Sequence, residues 1–244
     1  MDYRCETTSV TGFVQQLATA YLPHGYWFYV TGQIPLHKDP RDVDQKLLAK
    51  YGIAISRPAR ARRKRAGQAN LHYLRHEQFF VLLATHGRHT FFDHEAQSLR
   101  DIRRTPLVYG GYSISYKRGG YVRRAEGQPA QRDERWHSRV QIARGEYRTW
   151  RALFLEIAAK RTADQIAAEF WKLPFEPYAP VRQQQLNLLR LVNRARRQAG
   201  LDRISPRVLR YRRRIVRPFE PFARLACDET AQAMASEEDD SKCE

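Results

Sequence analysis

Apolar positions recur along the chain with two periods, and the switch between them sets the predicted architecture. Val10, Phe13, Val14, Leu17 and Tyr21 fall on one stripe at helical spacing behind Ser9, a good N-cap, and Leu22-Pro23-His24-Gly25 reads as the turn that ends this helix. Residues 26–31 are aromatic and β-branched and predict a strand. Asp39 as cap and Pro40 at the first position predict a second helix that stops at Gly52, with Val43, Leu47 and Leu48 inward. Ile53 and Ile55 read as the start of a short strand. Residues 79–84 are continuously apolar, the pattern of a central strand buried on both faces. Gly87 then turns the chain, and residues 89–92 are expected to return beside that strand. Tyr112, Ile114 and Tyr116 alternate with Ser113, Ser115 and Lys117; Trp136, Val140 and Ile142 alternate with Arg135, His137, Arg139 and Gln141. Both read as half-buried strands with a polar, basic face, joined by a long loop or hairpin tip at 117–134.

From Glu146 the period is helical. Trp150, Leu153, Phe154, Ile157 and Ala158 form one stripe; Thr162 with Gln165 predicts a capping box for the next, carried by Ala163, Ile166, Phe170 and Trp171. A Pro-rich link at 173–180 leads into a long helix ending near Gly200, with Val181, Leu188, Val192 and Ala195 inward and Arg190, Arg194 and Arg197 on the other side. Pro206 is expected to start a last helix through residues 207–216. The expected fold class is α+β: a mixed, mostly antiparallel sheet with flanking helices over residues 1–145, then a small basic helical bundle over 146–226 and a disordered acidic tail over 227–244.

Charge changes this picture most. The chain carries 43 Lys and Arg against 26 Asp and Glu, a net charge of +17. The tail holds seven acids and one base, so residues 1–226 hold 42 bases and 19 acids, a charge of +23. Residues 1–50 are neutral. The excess gathers in two clusters. One is Arg57, Arg60, Arg62, Arg63, Lys64 and Arg65, read as an exposed loop or flexible arm; the other is Arg203, Arg207, Arg210, Arg212, Arg213, Arg214 and Arg217. Neighbouring like charges repel by up to about 1 kcal/mol per pair even in water, and an anionic partner relieves this. Arg, whose planar fork suits phosphate oxygens and stacking, predominates over Lys.

Composition narrows the class further. At 42% hydrophobic and 28% charged the chain is globular. No run approaches the 18 or so apolar residues of a membrane span, so no membrane partner is expected. The start has no basic-then-apolar layout, and Cys5, Cys227 and Cys243 are an odd set without metal-knuckle spacing, which suits free thiols in a reducing compartment. The expected location is intracellular, cytoplasmic or nucleoid-associated.

The leading functional expectation is binding of DNA or structured RNA. Arg57–Arg65 would engage phosphates as an arm; Arg135, His137 and Arg139 on one strand face, with Arg118, Arg123 and Arg124 before them, would meet backbone or unpaired bases. Arg190, Arg194, Arg197, Arg210, Arg212, Arg213 and Arg214 would anchor the complex. Tyr109, Tyr112, Tyr116, Tyr121, Tyr147 and Tyr211 lie between these bases as stacking candidates. A second expectation is a nuclease or nucleic-acid-processing enzyme. His86, His89, Asp93, His94 and Glu95 would hold a divalent metal at the end of the central strand, with Tyr147 as the helical nucleophile. A third is a structural protein that uses the same surfaces in an RNA–protein assembly. Phosphate-loop, dinucleotide, serine-hydrolase and zinc-protease motifs are absent.

Overall fold

Caps and periodicity place the first elements where the sequence predicts them. The Ser9 side chain accepts from the Gly12 amide and starts α1 (Val10–Gln15), which continues through a π-helical turn at Gln16–Tyr21 and a 3-10 turn at Leu22–His24. Gly25, at φ 92°, ends it. The chain then enters β1 (Phe28–Gln33), and Asp39 accepts from the Arg41 amide to begin α2 (Pro40–Lys50). The computed structural model describes residues 3–119 and 133–220, with the backbone alone of 122–123 and 131–132. Tyr121, Arg124, the Arg123 side chain, Cys227, Cys243 and the tail expected at 227–244 lie outside the described residues.

The next stretch departs from expectation. Residues 53–55 form no strand: the Ile53 and Ile55 amides bond locally to the Leu48 and Ile53 carbonyls. The first basic cluster is not a loop but α3 (Arg57–Arg65), with the Ser56 side chain accepting from the Ala59 amide and Pro58 in its first turn. Ala, Arg and Lys are strong helix formers, and the four bases of its last turn sit at the negative end of the helix dipole.

A strand that the periodicity did not suggest follows, β2 (Leu71–His76), and it pairs antiparallel with β3 (Phe79–Ala84) across a two-residue turn in which Glu77 takes φ 52°. Residues 89–92 do not return as a strand. β3 already has β2 on one side and β1 on the other, and the segment coils into α4 (Phe91–His94), the His89 ring accepting from the Phe91 amide.

Adding β4 (Arg100–Asp101) gives a four-stranded sheet of order β2-β3-β1-β4. A second antiparallel sheet joins β5 (Leu107–Tyr109) and β6 (Tyr112–Arg118). A ribbon of β7 (Val122–Arg123) and β8 (Gln131–Arg132) follows, and β9 (Trp136–Ile142) completes the second sheet in the order β5-β6-β9. Three helices follow as the sequence predicts: α5 (Arg144–Ile157), α6 (Ala163–Trp171) with the Thr162–Gln165 capping box formed, and α7 (Ala179–Gln198). The final helix expected at 207–216 is absent. Only a 3-10 turn at Pro206–Val208 forms, and the chain runs on as a strap. The strap's polar groups are taken elsewhere: the Val216 amide and carbonyl bond the Gln15 side chain, and the Arg214 amide bonds Glu176.

The continuous apolar run of β3 is explained by two cores. Leu83 and Val81 point with Tyr29 and Leu74 into the larger cluster, which extends to Phe154, Phe170, Leu188 and Leu209 on the far side of residue 145. Leu82 and Ala84 point with Val30, Leu71 and Tyr73 into a smaller cluster closed by Tyr51, Ile53 and Phe91. Within this second core lies a buried ion pair. Arg75 Nε stands 3.0 Å from Asp44 Oδ1, which also accepts from the Tyr73 hydroxyl at 2.6 Å, while Cys5 Sγ donates to Oδ2. The same Arg75 donates to the Glu77 carbonyl and pairs with Glu6, and residues 5–7 cover the β2 edge through backbone bonds to Arg75. Losing Asp44 removes the buried counter-ion of Arg75 and leaves that charge, in a dry site, with Glu6, whose side chain is 54% exposed. Asp44→Ala should therefore lower unfolding free energy by about 3–5 kcal/mol in a urea titration. Gln45→Ala on the exposed face of the same helix should change it by less than about 0.5 kcal/mol.

Candidate nucleic-acid interface

With six bases, two alanines and one proline, α3 offers no apolar stripe with which to dock, and it is attached by guanidinium groups. Arg60 Nη1 and Nη2 donate to the Leu71 and Ile53 carbonyls, each at 2.7 Å, and Arg63 Nη1 reaches the Gly52 carbonyl at 3.2 Å. Asn70 closes the seam by donating to the Arg60 carbonyl at 3.0 Å. Arg60 and Arg63 thus hold the helix down, while Arg57, Arg62, Lys64 and Arg65 are exposed. None of the six forms an ion pair among the described residues.

Tertiary structure brings the histidine segment beside this helix. Arg88 exchanges backbone bonds with Gly67 and Ala69 just past the C-terminus of α3, and Gln68, Arg88 and His89 line one open cleft there. Gly87 is required at this contact: at φ 138° a Cβ would stand 2.5 Å from the Ala69 amide nitrogen. The five residues expected as a metal set do not converge. His89 is turned to the Phe91 amide, and Glu95 accepts from the Tyr51 hydroxyl. His86, Asp93 and His94 are exposed around the turn. Among the described residues no group of three His, Cys, Asp or Glu side chains is placed to hold a metal ion. Tyr147 packs on the larger core, whereas Tyr51, which His89 and His94 flank, belongs to the smaller one. Burial lowers the His89 pKa and raises that of Tyr147.

Near the foot of α3 lies a buried aromatic group that the sequence pattern does not reveal. His72 stacks on Tyr21 at 4.4 Å between centroids and lies tilted against Tyr26 at 4.6 Å, and its Nδ1 lies 2.8 Å from the Tyr3 hydroxyl. Burial, helped by the Arg60 charge, pushes the His72 pKa down to about 3.

A second basic surface surrounds the N-terminal half of α7. The Gln184 side chain bonds both the amide and carbonyl of Ile142, closing the free edge of β9 against this helix. On one side of the helix end, Lys117, His137, Arg139 and Gln183 line a cleft of about 270 Å³; on the other, Arg182, Arg210, Tyr211 and Gln183 line one of about 290 Å³. Lys117 is tied to the Arg103 carbonyl and His137 to Asp133, so Arg139 is the exposed base of this strand face. Arg135 is exposed too, but lies one residue before β9. Along α7, Arg190, Arg194 and Arg197 form the exposed ridge that the sequence predicts. In the strap, Arg212 and Arg214 are exposed, Arg213 lies 4.7 Å over the Tyr178 ring, and Arg210 turns inward to the Leu173 carbonyl at 2.7 Å.

Arg196, absent from the expected binding set, is the most deeply placed base of α7. Only 4% exposed, it donates to the carbonyls of Asp202, Ala158 and Arg161. Its signal lies in the helical wheel, where it follows Val181, Leu188 and Val192 on the apolar stripe. No family model, curated protein or solved structure matches the chain.

Two measurements separate clamps from free bases. Arg60→Ala removes two charge-assisted bonds, each worth about 1.5–3 kcal/mol, and should lower the unfolding free energy by several kcal/mol; Arg62→Ala and Arg65→Ala should each stay within about 0.5 kcal/mol of the parent. For His72 the folded pKa lies below the unfolded one, so its effect on stability is absent above about 6.5 and grows as pH falls. Stability should drop by about 1.4 kcal/mol per pH unit from about 6.5 towards 3, a slope that His72→Gln removes in urea titrations across that range.

Proposed function

We propose that this protein binds nucleic acid through two arginine-rich surfaces, the outer face of α3 and the α7 ridge with its adjoining strap. The observation that supports this best is the division of labour among the bases. Some guanidinium groups turn inward to carbonyls, whereas Arg57, Arg62, Lys64, Arg65, Arg190, Arg194 and Arg197 stay exposed and form no ion pair among the described residues. A face kept merely soluble would mix signs, because interspersed acids relieve repulsion at no cost in hydration. Phosphates spaced along a backbone relieve it instead, and release condensed counterions as they do so. Rigid helices suit that task better than an arm, since the bases need not be ordered on binding.

The α3 and α7 surfaces act as positioning contacts, reading backbone rather than sequence. No helix among the described residues is long and apolar enough to cross a membrane, so an anionic lipid surface would be met only peripherally. Affinity for labelled DNA and RNA, as single strands and as duplexes, should fall steeply with salt: about a thousandfold between roughly 50 and 200 mM if some six phosphates are engaged. The variant Arg57→Ala/Arg62→Ala/Lys64→Ala/Arg65→Ala should flatten the slope of log K against log salt on duplex DNA, by about 0.9 for each phosphate it no longer neutralises. Binding that is absent, or indifferent to salt, would overturn the reading.

A further inference from the structure

Among the described residues, Trp171, Tyr211 and Trp136 are the exposed large aromatic side chains, and Trp136 is the one stacked on a buried ring. Trp136 is 45% exposed, yet it is not loose: its ring stacks on Tyr116 at 5.7 Å between centroids and 18° between planes. Tyr116 in turn stacks on Trp27 at 5.9 Å and 26°, and the Arg103 guanidinium lies 4.4 Å over Trp27. Arg103 is fixed by a forked pair of bonds to Asp101, and the Trp27 indole by its bond to the Leu22 carbonyl. Four successive planar groups thus form a column that begins at a pinned cation and ends at Trp136. With one face of Trp136 turned to Tyr116, nearly half of its surface remains open to solvent.

Its surroundings specify what fits there. Trp136 is the first residue of β9, paired across the sheet with Arg118 and following Arg135 in the chain. Arg118 and Arg135 are exposed bases. The neighbouring acid, Glu134, forms with Arg118 a pair whose members are 62% and 80% exposed, the kind of surface pair that a phosphate displaces at little cost. A partly exposed aromatic ring paired across the sheet with an exposed arginine, and following another in the chain, suits a planar ring attached to an anionic backbone. Bases inside a duplex have both faces already stacked, so only an unpaired base can offer one.

We infer that Trp136 is a stacking platform for an unpaired base of single-stranded nucleic acid, with Arg118 and Arg135 engaging the flanking phosphates. This rests on the nucleic-acid reading above and adds strand state to it. Tyr116 is a positioning residue: buried beneath Trp136, it fixes the tilt of the platform, so little rotamer freedom is lost on stacking.

The test uses the full chain with labelled oligo-dT and a duplex of equal length. Trp136→Ala should weaken oligo-dT binding about 5- to 150-fold and leave duplex binding nearly unchanged. Trp136→Phe, which keeps an aromatic face and excludes a mere folding defect, should recover most of the lost affinity. Oligo-dT should quench intrinsic tryptophan fluorescence in the parent protein and quench it far less in Trp136→Phe. If Trp136→Ala binds oligo-dT like the parent, or loses single strands and duplex alike, the platform is overturned. Should that happen while the fourfold α3 variant still loses salt-dependent binding, the broader reading stands alone. If the parent protein binds no nucleic acid, both fall.

Discussion

A helix such as α3, with six bases and no apolar stripe, cannot attach itself to an apolar core by ordinary side-chain packing. The solution in this protein is the inward guanidinium. Arg60 and Arg63 tie α3 to the carbonyls of residues 52, 53 and 71, and Arg75 ties β2 to α2. Arg196 gathers the ends of α5 and α7, and Arg210 fastens the strap to the link before α7. Main-chain carbonyls at element ends lack helical or sheet partners, so a buried guanidinium and an orphan carbonyl satisfy each other. For α3 these bonds replace hydrophobic docking, whereas α5, α7 and the strap also share the larger hydrophobic core.

The outward bases follow from the inward ones. Once Arg60 and Arg63 face the core, helical geometry turns Arg62 and Arg65 away from it, while Arg57 and Lys64, on the flank near the two helix ends, also stay exposed. The same holds along α7, where Arg196 on the apolar stripe leaves Arg190, Arg194 and Arg197 on the opposite side. The basic surface is therefore a consequence of how the helices are docked. The two sheets add what helices lack, a stacked aromatic column whose last member is left open.

Elements governed by local rules were legible. Ser9, Asp39 and Thr162 cap their helices through bonds to amides two or three residues away, and such bonds depend on nothing distant. The run at 79–84 announced a strand with two buried faces because no other environment tolerates it. Segments whose polar groups find distant partners were not legible. β2 carries His72, Arg75 and His76 among its apolar residues, and reads as a strand only once Asp44, Tyr3 and Tyr109 are known to meet them. Pro206 reads as the start of a helix through the strap, yet the Val216 amide and carbonyl go to Gln15 and the Arg214 amide to Glu176.

By itself, then, the sequence determined the α+β class, most caps, the central strand and the uneven placement of charge, because these depend on spacing and on net counts. Tertiary structure alone decided which bases point inward, that the first cluster is a helix beside the histidine segment, that those histidines do not converge, and that a half-exposed tryptophan ends a stacked column. The physical reason is range. A cap or an amphipathic stripe is completed within a few residues, whereas the role of a guanidinium or an indole is set by whichever carbonyl, carboxylate or ring the fold delivers to it from elsewhere in the chain.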